Sequence, residues 1–93
     1  MNTKITKFDI AEHLETDEDI AGFLDEVAQT GDMSDFIHAL SIVARARGMT
    51  EIARDAGVTR ASLYKSLSAD GNPRFDTISK VVSAMGCRLS VSI

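Results

Sequence analysis

Residues 49–68, MTEIARDAGVTRASLYKSLS, constrain the fold more than any other stretch of the chain. Ile52, Ala53 and Ala56 recur on one side of a short helix, and Leu63 and Leu67 on one side of a second. Gly57 lies between them, where the backbone needs freedom to take positive φ, and Val58 is placed to bury the bend. Two helices that cross steeply need a small residue where they touch, and Ala53 supplies it. The spacing predicts a helix-turn-helix, although an ordinary αα-corner would also satisfy it. The outer face of the second helix separates the two. Arg60, Ala61, Tyr64, Lys65 and Ser68 lie opposite the leucines and none is acidic, in a chain whose net charge is −4. Such a face suits a helix that enters a DNA groove.

The charge is unevenly placed. Residues 1–35 hold ten acids against Lys4 and Lys7, a balance of −8, while residues 36–93 hold eight bases against four acids, a balance of +4. Phosphate binding follows the local field rather than the net charge, so an acidic protein can bind DNA through a basic half. The acidic half is either a solvated surface or the face for a basic partner. Reversing Asp17, Glu18 and Asp19 to Lys is expected to leave the fold nearly intact.

At 93 residues the chain makes a single domain. It divides into an acidic helical part over 1–35, a helix-turn-helix core over 36–86 and a tail over 87–93. Asp9 can cap a brief helix over 10–14. Thr16 and Asp19 have capping-box spacing ahead of Ile20, Phe23, Leu24, Val27 and Ala28, and Thr30-Gly31 ends that helix. Asp32 caps the next, with a stripe of Met33, Phe36, Ile37, Leu40, Val43 and Ala44. It runs to Arg45, Arg47 and Gly48, where the arginines suit either the helix dipole or DNA contact. Thr50 and Thr59 are expected to cap the two motif helices, and a cap hydroxyl can also hold a phosphate. Residues 69–73, ADGNP, form a turn cluster. Phe75, Ile78, Val81, Val82 and Met85 mark a last helix, stopped by Gly86. Cys87, Leu89, Val91 and Ile93 then alternate with polar residues, the period of a half-buried strand. That strand pairs either with its counterpart in a second copy or with residues 2–7 of its own chain.

Catalysis finds little support. His13 and His38 are on different expected helices with no third ligand at metal spacing, and no glycine-rich phosphate loop occurs. No cofactor or metal is called for. Cys87 is the single cysteine, so no internal disulfide forms and a reducing cytosol is the natural compartment. The amino terminus has no apolar leader, and no stretch is suited to spanning a bilayer. A cytoplasmic, non-enzymatic protein is expected. A protein-only interaction module with a degenerate helix-turn-helix is a further reading.

Residues 44–89, ARARGMTEIARDAGVTRASLYKSLSADGNPRFDTISKVVSAMGCRL, preceded by FDIAEHL and DEDIAGFLDEV, resemble the phage-repressor (XRE-like) helix-turn-helix family. More narrowly they resemble the HigA-like antitoxins described as probable addiction-module antidotes. LYKSLS, then GNP, Phe75, Thr77, Lys80-Val81 and Gly86, are more specific than the bare helix spacing. The resemblance implies a compact, mainly all-α domain of five or six helices and a homodimer on operator DNA. It also implies repression of its own operon and neutralisation of a small basic toxin of the HigB/RelE-like ribonuclease class. A stand-alone dimeric regulator without a toxin is the rival reading. Phage repressors read bases from the start of the second helix, which matches Arg60, Ala61, Tyr64 and Lys65 here. Arg60 and Lys65 suit either guanine or a phosphate, and Tyr64 either meets a thymine methyl or covers the motif. Asn72-Pro73-Arg74-Phe75 matches, except at Asn72, a basic-Pro-Arg-Phe segment that approaches the minor groove in some relatives, so Arg74 joins the set.

Overall fold

The computed structural model describes residues 14–90. Among them are five helices: α1 (Asp17–Thr30), α2 (Met33–Arg47), α3 (Met49–Ala56), α4 (Arg60–Ser66) and α5 (Phe75–Ala84). Helix α1 packs on α2, and α3 packs on α2, α4 and α5. The core they enclose is aliphatic. Ile20, Leu40, Val43, Leu63, Val81 and Met85 are its largest fully buried side chains, so every helix but the short α3 contributes a large residue from within it or just past its end. Helix α3 contributes Met49, Ile52, Ala53 and Ala56, small enough at two positions to let its neighbours come close.

The helix starts are set locally. The Thr16 hydroxyl accepts from the Asp19 amide at 3.1 Å while the Asp19 carboxylate accepts from the Thr16 amide at 3.2 Å, the reciprocal capping box expected there. Asp32 and Asp35 repeat the arrangement at the start of α2. Thr59 caps α4, its hydroxyl accepting from the Ser62 amide at 3.0 Å. Thr50, by contrast, does not cap α3. The cap position is Gly48, at φ +108, which also ends α2 and makes no side-chain cap hydrogen bond. A single residue thus joins two helices, and α3 begins at the buried Met49, leaving Thr50 exposed inside its first turn.

Gly57 closes α3 in the left-handed conformation, at φ 75 and ψ 29. Its amide donates to the Arg54 carbonyl at 3.1 Å and the Val58 amide reaches back to Ala53 at 3.0 Å. This is a Schellman closure, and it turns the chain into α4 with Val58 half-buried against the core.

The apolar stripes are narrower than expected at two points. Met33 and Phe75, the first residues of α2 and α5, are 63% and 74% exposed. Side chains in a first turn lie beyond the end of the packed stripe, which starts at Phe36 in α2 and at Ile78 in α5. The C-terminal strand is also absent from 87–90, which carry no regular structure. Alternation alone does not make a strand, which needs a neighbouring ladder of N–H and C=O groups, and no strand occurs among the described residues. Val91, Ile93 and the candidate partner residues 2–7 lie outside those residues, as does the helix expected over 10–14 apart from the buried Leu14.

Candidate nucleic-acid interface

Helix α4 has one buried residue, Leu63, fully enclosed, with Leu67 buried just past its end. Arg60, Ala61, Tyr64, Lys65 and Ser68 are all exposed on the remaining surface. The leucine anchor fixes the rotation of the helix and so decides which side chains face outward. Arg60 and Tyr64, one turn apart, interact: the guanidinium carbon is 5.5 Å from the ring centroid and Nη2 donates to the phenol oxygen at 3.4 Å.

A residue from outside the motif joins them. Arg45, in the last turn of α2, holds its guanidinium carbon 5.8 Å from the same ring centroid. Each cation–π contact at so exposed a place is worth about 0.5–1 kcal/mol. Sequence spacing puts Arg45 at a helix end and gives no sign of its partner, because the approach is made through the packing of α2 and α3 beneath α4. Its companion Arg47 is used differently, pairing with Asp17 of α1 at 3.3 Å.

The remaining expected residues stand apart from this cluster. Lys65 is exposed with no carboxylate within 4.0 Å among the described residues, a state shared by Arg45 and Arg60. Arg74 occupies the N-cap position of α5, its side chain 85% exposed, with Nε 3.6 Å from the Asp76 carboxylate. An exposed pair of that length contributes little and leaves the guanidinium free to turn elsewhere. Thr50, Lys65 and Arg74 have no hydrogen bond, ion pair or cation–π contact to Arg45, Arg60 or Tyr64. The turn before Arg74 is tightly held. A Cβ at Gly71 would stand 2.5 Å from the Lys65 carbonyl oxygen and 2.6 Å from that of Ser66. Glycine is required there by close approach, and it ties the 69–73 turn onto the end of α4.

Other chemistry is sparse. His38 is exposed on α2 and borders a shallow groove with Ile42, Arg45 and Leu67, and His13 lies outside the described residues. Cys87 is half-buried. Burial pushes its thiol up from the usual range, the Asp17 carboxylate adds to the rise, and the Arg47 guanidinium opposes it. Among the described residues no group of three or more histidine, cysteine and acidic side chains could hold a metal ion, and no helix is long and apolar enough to cross a membrane.

The molecule is thus a small helical domain that shows solvent a cationic and aromatic helix face. The chain belongs to the family of probable addiction module antidote proteins, whose family model matches residues 4–93. It is also similar to an uncharacterized protein of Haemophilus influenzae, 44% identical over 91 residues that cover 98% of this chain and 94% of that one. No solved structure gives a significant match. The family description points to the antidote half of a toxin–antitoxin pair, a regulatory rather than catalytic role, with a toxin as partner.

Proposed function

We propose that the protein is the antitoxin of a type II toxin–antitoxin module that binds operator DNA as a homodimer through α4 and represses its own operon. The toxin it neutralises is a small basic ribonuclease of the HigB/RelE-like class. The observation that carries the DNA half is the outer face of α4, where Arg60, Tyr64 and Lys65 are exposed around a buried Leu63 and no acid interrupts them. Arg60 and Lys65 supply donors for guanine edges or phosphates, Ala61 leaves room for close approach, Thr50 and Thr59 hold phosphates, and Arg74 meets a phosphate or the minor groove. A single module of this size buries only about 600–1,000 Å² on DNA, so two copies on an inverted repeat, about 34 Å apart, give useful affinity.

The toxin half is supported by the family and by charge. A ribonuclease must hold RNA phosphates in a basic cleft, and the exposed acids of α1 complement such a field. Two measurements test the reading. Arg60→Ala should lose about 1–3 kcal/mol on the selected operator and relax preference at one or two base pairs. Equal losses on operator and random DNA would reduce Arg60 to a phosphate contact, and no binding by wild type would remove the DNA role. Co-expression with the neighbouring small basic reading frame should yield a co-purifying complex and restore growth. DNA binding without such a partner would leave a stand-alone regulator.

A further inference from the structure

We infer that Arg45 is a specificity-determining positioning residue: it lies outside the two motif helices, yet its guanidinium stands against the same Tyr64 ring as that of Arg60, so that the three side chains read duplex DNA as one unit. The inference rests on the DNA-binding reading of α4 and adds to it a residue that helix-turn-helix spacing does not reach. The geometry is specific. Two guanidinium carbons stand 5.8 and 5.5 Å from one ring centroid, and the Arg60 Nη2 donates to the phenol oxygen at 3.4 Å. That bond occupies one lone pair of the phenol oxygen and leaves its O–H available as a donor to an acceptor on DNA. It also fixes one edge of the Arg60 fork, so the remaining N–H groups are presented in a defined direction.

Arg45 has no ion pair among the described residues, whereas Arg47, the other arginine in its turn, is engaged with Asp17. Its backbone is also held firmly, since Val43 and Ala44 just before it are fully buried. Neither Arg45 nor Arg60 has a carboxylate within 4.0 Å among the described residues, so the two like charges gather around Tyr64 without neutralisation. A nearby phosphate or guanine acceptor pair would relieve that concentration of charge. An Arg at position 45 is not interchangeable with Lys, because a planar guanidinium covers a ring face and an ammonium does not.

The test uses the full chain, a duplex selected by the wild-type protein from a random pool, and a scrambled duplex of equal length. Arg45→Ala should lower the ratio of selected to scrambled affinity about tenfold, with melting temperature lowered by only about a few degrees, the loss of one exposed cation–π contact. Arg45→Lys should restore only part of that ratio. In a Tyr64→Leu background, Arg45→Ala should have no further effect on the ratio. Loss of equal size on both duplexes, with the salt slope reduced by about one, would make Arg45 a phosphate contact and overturn the role. A second readout needs no DNA. Tyr64 is the only tyrosine and the chain has no tryptophan, so emission excited beyond the phenylalanine absorption reports this ring alone. Tyrosine anisotropy should fall in Arg45→Ala, and an unchanged value would overturn the positioning of Tyr64 by Arg45. If wild type does not discriminate between duplexes, the DNA reading and the specificity role fall together, while the anisotropy result still judges the positioning of Tyr64.

Discussion

At the scale of single residues, three positions carry loads that can be read separately. Thr59 caps α4 and nothing else replaces its acceptor, so Thr59→Ala should cost about 1 kcal/mol in denaturant unfolding. Thr59→Ser should recover most of it. Gly71 is held against two carbonyl oxygens, and Gly71→Ala forces the turn off α4. A destabilisation of about 1–3 kcal/mol is expected, as for other overpacked sites, with operator affinity falling too because Arg74 moves with the turn. A stability loss without any change in binding would detach Arg74 from the interface. Cys87 gives a pH readout. Its raised thiol pKa means that the folded chain holds its proton where an unfolded thiol has lost it, so alkylation near pH 8–9 should be slower than for a free cysteine. The stability this contributes is complete below the unfolded pKa and is lost as pH rises through the folded one. Asp17→Asn should speed alkylation and Arg47→Ala should slow it, the opposite signs of their two fields.

At the scale of elements, the short α4 is held by burial rather than by propensity, since seven residues do not sustain a helix alone. Leu63→Ala should therefore cost about 2–5 kcal/mol and remove operator binding with it. Helix α1 is fastened to the rest at its first turn. The Asp17 carboxylate pairs with Arg47 at the end of α2 and packs on Gly86 at the end of α5, within 3.1 Å of where a Cβ would stand. Asp19 completes the capping box. Reversing Asp17, Glu18 and Asp19 together should therefore cost stability, where the sequence led us to expect a nearly intact fold, because two of the three acids have structural partners. Asp17→Lys and Asp19→Lys should each cost about 1 kcal/mol in thermal or urea unfolding, and Glu18→Lys less, through the helix dipole alone.

At the scale of the whole molecule, the acids available to a basic partner are those of α1 without cap or ion-pair duties: Glu18, Asp25 and Glu26 are exposed, and only Asp25 is engaged, by the Gln29 amide at 2.9 Å. Reversing these three to Lys should slow toxin association at low ionic strength and flatten its salt dependence. Unfolding and operator binding should be nearly unchanged. If stopped-flow association is unaffected below about 50 mM salt, where screening is weak, the toxin docks elsewhere and this face is solvated surface.

What the sequence by itself determined is what short-range chemistry determines. Thr16 with Asp19, Asp32 with Asp35 and Thr59 with Ser62 are partners three residues apart, so helix starts were legible from spacing. The leucines of α4 fixed its outer face in the same way, because a 3.6-residue period assigns every side chain a direction once one is buried. Thr50 misled because capping chemistry can be read from a hydroxyl, whereas a cap made by a bare glycine at φ +108 leaves no side chain to recognise. The alternation after Gly86 misled because a strand is a property of two segments and periodicity describes one. Only the tertiary structure decided that Arg45 meets Tyr64, that Arg47 meets Asp17 and that Phe75 faces solvent. Those outcomes depend on how α1, α2, α4 and α5 arrange themselves around the core, and contacts between residues distant in the chain leave no periodic trace in it.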